Sequence, residues 1–166
     1  IDSPVAAHLM LKRGCTLDFL HFHLQPSAEA ARTSKIVAMA RAVIAPHRRS
    51  APLYLASAAP FETAIVALET RVATVVFRRF IMRVAEQIAQ QRQSLALITG
   101  ESVGQVASQT LQNINVIAQA TTLPILRPLI GFDKGEIIDV AKRIDTYELS
   151  IQPYRDPCSM HARNPA

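Results

Sequence analysis

Short apolar extended segments alternate along this chain with segments of helical period, and that alternation restricts the fold more than any other feature. Two extended segments joined through a helix can lie side by side only in parallel, so the pattern predicts a parallel sheet with crossover helices. Extended segments are expected at residues 16–24, 52–57, 94–99 and 124–127. In the first, Leu17, Phe19, His21 and His23 fall on one face, and Leu20 and Phe22 on the other. Helices are expected from Ser3 through Lys12, and over 27–44, 61–68, 74–91, 106–118 and 133–144. Ser3 would cap the first, with Pro4 at the first helical position, and Gly14 would end it. From Thr146 onward the periodicity fails, and an irregular tail is expected. The fold class that follows is α/β: an open, mostly parallel twisted sheet with helices on both faces.

A chain of 166 residues fits one domain with a real core. Hydrophobic residues make up 49% and charged residues 19%, a balance that excludes disorder. No apolar run approaches the roughly 20 residues of a membrane helix, so no membrane partner is expected. Two cysteines, Cys15 and Cys158, are too few for a disulfide framework, and free thiols in an intracellular chain are expected. The chain opens on Ile1-Asp2-Ser3 without an initiator Met or a signal peptide, as a portion of a longer protein would. Lys and Arg total 18 against 13 Asp and Glu, a formal charge of +5 that favours a polyanionic partner.

In such folds ligands bind beyond the carboxyl ends of the strands. The loops expected there are 1–3, 23–27, 58–60, 100–104 and 127–133. Asp2-Ser3 opens a helix, where free N–H groups and the dipole favour an anion; an ordinary helix cap reads the same way. Gly100-Glu101-Ser102-Val103-Gly104-Gln105 follows a strand, and its glycines allow close backbone approach. It lacks the Gly-Lys-Ser/Thr of a Walker loop and the spacing of a dinucleotide fingerprint. Arg127 and Lys134 put two cations near one strand end. Lys134 sits in the first turn of a helix, where the dipole disfavours a cation, and such a broken rule marks either a functional residue or a solvated one.

Cys158 follows Pro157, near Arg155, Asp156 and His161. A thiol beside cations is a nucleophile or a sulfur carrier; an inert tail thiol is the alternative. Cys158 and His161 make half of a zinc site, but with Cys15 as the only other thiol the other half would need distant histidines. His21 and His23 share a strand face without a carboxylate partner, so no metal site is expected. Cys15 reads as a small buried hydrophobe.

Read together, these blocks resemble one family. Ile1-Asp2-Ser3-Pro4-Val5-Ala6 is similar to the second half of the PP-loop, Ser-Gly-Gly-x-Asp-Ser, of the tRNA 4-thiouridine synthases (the ThiI family). In order there follow Leu20-His21-Phe22-His23, Arg78-Arg79-Phe80 with Arg83, Thr99-Gly100-Glu101-Ser102 through Gln109-Thr110-Leu111, Arg127-Pro128-Leu129-Ile130 with Asp133-Lys134, and Pro153-Tyr154 before Cys158. The resemblance covers nearly the whole chain. It implies the adenine-nucleotide α-hydrolase-like fold of PP-loop ATP pyrophosphatases. It also implies ATP with Mg2+, adenylation of a tRNA uridine with release of pyrophosphate, and displacement of AMP by a persulfide sulfur to give 4-thiouridine. A sulfur role in thiamine biosynthesis goes with it.

Carried over residue by residue, Asp2, Lys134 and Cys158 are the expected catalytic residues. Ser3, His21, Phe22, Arg78, Gly100 and Gln109 are the expected ATP-binding residues. The implied partners are tRNA, a sulfur donor such as a cysteine desulfurase, and a second copy in a homodimer, all in the cytoplasm. The family also implies ferredoxin-like and THUMP domains upstream, which makes residues 1–166 the ATP pyrophosphatase domain cut within its loop. Two departures stand out. The Ser-Gly-Gly half of the loop is absent, and Asp156-Pro157-Cys158 replaces the Asp-Cys-Cys of many relatives. Two other readings remain beside this one: a PP-loop enzyme acting on a small substrate, and a non-catalytic nucleotide- or RNA-binding module.

Overall fold

The computed structural model describes residues 1–64, 70–154 and 156–157. Two parallel strand pairs organise it. Strand β1 (Phe19–His23) pairs in parallel with β2 (Leu53–Ser57), and β3 (Leu97–Ile98) with β4 (Ile125–Leu126). Their ladders end in bonds from Ala58 N to His23 O at 2.9 Å and from Thr99 N to Leu126 O at 3.1 Å. The expected parallel pairing is present. A single continuous ladder is not: among the described residues, no strand bridges β1 and β3.

Helices cover both faces. Helix α1 (Asp2–Lys12) packs against α3 (Lys35–Ile44) and α7 (Lys134–Arg143), while α5 (Thr70–Arg92) packs against α6 (Leu111–Ala118). Alternation along the strands explains the division. Phe19 and Leu17 join Ala7, Leu11 and Val43 beneath α1. Leu20 and Phe22 join Phe61, Phe77 and Phe80 beneath α5. In the second pair Ile98 faces α1, and Leu97 faces Met82 and Ile117. The residue-by-residue facing expected for β1 is therefore the observed one.

The crossover from β1 to β2 runs through α3, and the one from β3 to β4 through α6, on the opposite face. With both connections taking the usual right hand, helices on opposite faces carry the outer strands in opposite directions. The switch point of the sheet then lies between β1 and β3, and α1 spans it, touching Phe19 and Ile98 in one cluster.

Several expected boundaries are corrected. Helix α1 begins at Asp2, with Ile1 in the capping position and no side-chain cap, so Ser3 lies inside the first turn. The expected helix 27–44 is broken into α2 (Ala28–Arg32) and α3. Ser27 caps α2 by accepting from Ala30 N. Thr33 and Ser34 then turn their hydroxyls back onto the carbonyls of Glu29, Ala30 and Ala31, which competes with helix continuation. Helix α4 (Ala59–Ala64) starts before the expected segment 61–68, the rest of which lies outside the described residues. The expected helix 106–118 opens as a 3-10 turn (Ala107–Gln109). It becomes α6 only after Thr110, which caps it by accepting from Asn113 N. The tail is not wholly irregular: α8 (Tyr147–Ile151) forms and packs against α3 and α7. No described helix is long and apolar enough to cross a membrane.

Candidate functional site

Three loops meet at the switch point: the start of α1, the segment 99–109 after β3, and the segment 127–134 after β4. Glycine sets how closely they meet. A Cβ on Gly100 would stand 2.8 Å from Asp2 C and 2.8 Å from Ser3 N, so only glycine lets the end of β3 rest on the first turn of α1. Ser102 then ties the second loop to the third, its hydroxyl donating to Phe132 O at 2.6 Å, and Val103 N donates to Ile130 O at 3.1 Å.

Asp2 is the centre of one polar cluster. Its Oδ1 accepts from Lys134 Nζ at 2.6 Å and its Oδ2 from Gln105 Nε2 at 2.8 Å. This places Lys134, at the N-terminal end of α7, against the first turn of α1. Two helix N-termini thus converge on one point, and positive dipole ends favour an anion there. Lys134 keeps 44% of its side chain exposed. Its own helix needs nothing from it, because Asp133 and Glu136 form a complete capping box, with both bonds at 2.8 Å. A cation at that position is explained by the neighbouring acid rather than by its own helix.

Glu101 is the centre of a second cluster, and it is buried, with 3% exposure. Arg78 Nη1 donates to its Oε1 at 3.0 Å. Arg127 Nε and Thr99 Oγ1 donate to its Oε2 at 2.8 and 3.0 Å. Arg78 comes from α5 and Arg127 from the end of β4, so one carboxylate joins three elements. Four buried polar atoms around these loops have no hydrogen-bond partner: Arg78 Nε, Arg127 Nη2, Gln105 Oε1 and Gln109 Oε1. Buried orphans are rare in folded proteins, and two cationic donors beside two acceptors suit a ligand with anionic groups and hydroxyl or amino donors.

In the middle of β1, His21 Nε2 lies 2.9 Å from the Tyr154 hydroxyl. Burial lowers the His21 pKa to about 4, against an opposing pull from Asp156, so the ring is neutral at physiological pH. Burial likewise raises the Tyr154 pKa. Lys35 Nζ stands 5.5 Å over the Tyr154 ring and donates to Ser150 O at 2.9 Å and to Gln152 O. These contacts bind the segment after α8 to the middle of β1 and to the start of α3.

Of the residues expected from sequence, Asp2, Ser3, Lys134, Gly100, Gln109 and Arg78 lie on these converging loops or contact them. His21 lies in the middle of β1. Phe22 is placed differently: its ring is buried in the aromatic cluster beneath α5, with centroids 6.1 Å from Phe77 and 5.6 Å from Phe80. The side chain is thus core. Cys158, with Arg155 and His161, lies outside the described residues; Pro157, just before the cysteine, is buried. Among the described residues, no group of three or more His, Cys, Asp and Glu could hold a metal.

Glu101, Gln105 and Tyr154 have no site role among the residues expected from sequence, and Arg127 stands there only as a nearby cation. The available signal was an acid directly between a strand end and a loop, a position where an unpaired carboxylate would be costly if buried.

A family model described as thiamine biosynthesis protein (ThiI) matches residues 1–166. Curated relatives called probable tRNA sulfurtransferase are 45% identical in Caldanaerobacter subterraneus and 48% in Finegoldia magna, each over 161 residues. The match takes in 96% of this chain and 42% and 41% of those proteins. A third, from Coxiella burnetii, is 43% identical over 171 residues. The chain therefore spans about two-fifths of the length of the curated relatives it matches. A solved structure described as a 4-thiouridine synthetase–RNA complex with bound ATP superposes with a TM-score of 0.89 at 38% identity, over 99% of this chain and 44% of that one. The α/β fold with its parallel strands is the fold of that protein, and with the family model matching throughout, this chain belongs to the ThiI family.

Proposed function

We propose that this chain is the ATP pyrophosphatase portion of an ATP-dependent tRNA sulfurtransferase, which adenylates a tRNA uridine and exchanges its oxygen for sulfur. The observation that carries this reading is the meeting of Lys134, Asp2 and two helix N-termini beside the Arg78–Glu101–Arg127 cluster at the switch point of the sheet. Splitting ATP between its α and β phosphates gives the protein little covalent chemistry to perform. The task is to position groups and to stabilise charge on phosphate oxygens, which fixed N–H groups and cations do.

The uridine O4 attacks the α phosphorus, the bond to pyrophosphate breaks, and the base carries AMP. Lys134, held by Asp2 and exposed to an incoming ligand, is placed to move from the carboxylate to the phosphates as charge develops. Mg2+ would accompany the triphosphate, and Asp2, held by Lys134 and Gln105 rather than by an arginine, would face the ion or its water shell. Ser3, Gly100 and the His21–Phe22 backbone line the nucleotide, with Gln109 Oε1 as an acceptor for it. The Ser-Gly-Gly half of the phosphate loop would precede Asp2 in the longer protein. Ferredoxin-like and THUMP domains precede it.

In the second step the terminal sulfur of a persulfide attacks C4 of the uridine and AMP leaves carrying O4; a second thiolate then attacks the inner sulfur, which releases the 4-thiouridine and leaves a disulfide. Cys158 carries or resolves that persulfide, supplied by a cysteine desulfurase in the cytoplasm. Tyr154, four residues before Cys158, is tied to His21 of β1 and lies under Lys35 of α3. The enzyme works as a homodimer and shares its sulfur with thiamine synthesis.

The deciding measurement is pyrophosphate release from ATP by the full-length protein with and without tRNA. Release only with tRNA supports the adenylating enzyme. ATP binding without release sinks it in favour of a non-catalytic binding module. For the sulfur step, Cys158→Ser is expected to abolish thiolation and leave ATP binding intact; normal thiolation by that variant removes Cys158 from the mechanism.

A further inference from the structure

The Glu101 cluster has more positive charge than its own structure requires. One carboxylate would neutralise one guanidinium, yet two are present, and the group as a whole carries a charge of +1. The contacts are also divided. Arg78 takes Oε1 through Nη1, and Arg127 takes Oε2 through Nε, so each oxygen fixes the orientation of a separate guanidinium. Each guanidinium then keeps a buried N–H without a partner, Nε of Arg78 and Nη2 of Arg127. A buried orphan donor on a cation is costly in a purely structural ion cluster. Two of them beside the switch point are accounted for by an anion that both would bind.

The course of the chain brings the same anion within reach of Lys134. Arg127 begins the loop 127–133 and Lys134 follows it, and the loop is fastened to the Glu101 segment through Ser102 and Val103. Gly100, the neighbour of Glu101, touches the first turn of α1. A polyphosphate seated on α1 therefore has Lys134 at one end of that loop and Arg127 at the other.

We propose that Arg127 is a phosphate-binding residue of the nucleotide site, and that Glu101 is a positioning residue that holds Arg78 and Arg127 as a pair for the phosphates. This rests on the nucleotide reading above. Glu101 touches no ligand; it acts by orienting the two guanidiniums and by keeping their combined charge low enough to remain buried before ATP arrives.

The test is equilibrium binding of ATP and of adenosine to the full-length protein, wild type and variants. Arg127→Gln leaves Glu101 paired with Arg78 and Thr99, so it is the variant expected to fold. A lost charge-assisted bond to phosphate predicts ATP binding weakened about 10- to 100-fold, with adenosine binding unchanged. Glu101→Gln keeps the shape of the side chain, but its amide can accept from only one arginine. It should weaken ATP binding about 10-fold, again sparing adenosine. The double variant should bind ATP no more weakly than Arg127→Gln alone by more than the Arg78 share, well short of the product of the two losses, because Glu101 acts through the arginines. Unchanged ATP binding in Arg127→Gln overturns the ligand role, and equal losses for ATP and adenosine overturn it as well, by showing general damage to the site. Losses that multiply in the double variant overturn the positioning role. A wild-type protein that binds no ATP overturns the nucleotide reading itself, an outcome distinct from a normal wild type with a normal variant.

Discussion

The two polar clusters at the switch point use the same chemistry in opposite ways. Around Glu101 the carboxylate is buried and divided between arginines from two elements, with side-chain exposures of 18% and 16%. Around Asp2 the carboxylate is 22% exposed and its lysine 44%. A buried ion cluster is expensive to break and therefore rigid, because a charge left alone keeps its desolvation penalty. An exposed pair is cheap to break, since water replaces either partner. The first arrangement suits groups that must stand still, and the second suits groups that must exchange partners during a reaction. Position in the site and contribution to stability are thus separate properties, and the two clusters divide them.

The sharpest way to break this comparison is to remove the buried acid. Glu101→Leu leaves Arg78 and Arg127 buried without a counter-charge, and should cost about 3–5 kcal/mol in denaturant unfolding. A cost below about 1 kcal/mol would mean that water reaches the cluster. The exposed cluster should behave the other way. Lys134→Ala is expected to slow adenylation about a hundredfold, read as pyrophosphate release, while stability changes by less than about 1 kcal/mol. A large loss of stability with little loss of rate would reverse the assignment of the two clusters.

A third, intermediate case is His21, in the middle of β1. Its pKa is lowered to about 4 from an ordinary 6.5, so the unfolded chain takes up a proton in that interval and the folded one does not. Its contribution is complete above pH 6.5 and is lost as the pH falls toward 4. The effect is on the order of 2 kcal/mol once the partial exposure is discounted. Unfolding at a series of pH values should show that slope, and His21→Gln should flatten it; an equal slope in both proteins would place the titrating group elsewhere. The smallest effect belongs to the pair of Asp18 Oδ2 and Arg92 Nε, 2.8 Å apart on the surface. Asp18→Asn should leave the melting temperature unchanged within error, as a control for exposed pairs at a distance from the site.

Local patterns carried most of the fold. Leu17 and Phe19 on one face of β1, with Leu20 and Phe22 on the other, are a direct reading of period-two alternation, and they decide which helices cover which side. Boundaries were less legible, because hydroxyl side chains override periodicity. Thr33 and Ser34 break a helix whose apolar spacing continues, and Thr110 delays another. Of the site, the odd placement of Lys134 in a first helical turn was visible as a broken rule. Its cause was not, since Asp2 lies 132 residues away.

The chain order of apolar and polar residues, by itself, determined the parallel α/β plan and the loops that would bear ligands, because hydrophobic periodicity acts over a few residues and repeats along each element. The tertiary structure decided the rest. Only folding could bring Arg78 and Arg127 to opposite oxygens of Glu101 and set Gln105 and Lys134 on Asp2. Charges so far apart in sequence become partners through the close approach of Gly100 to α1 and the fastening of the loops by Ser102. Such contacts depend on distances in space, which no local pattern encodes.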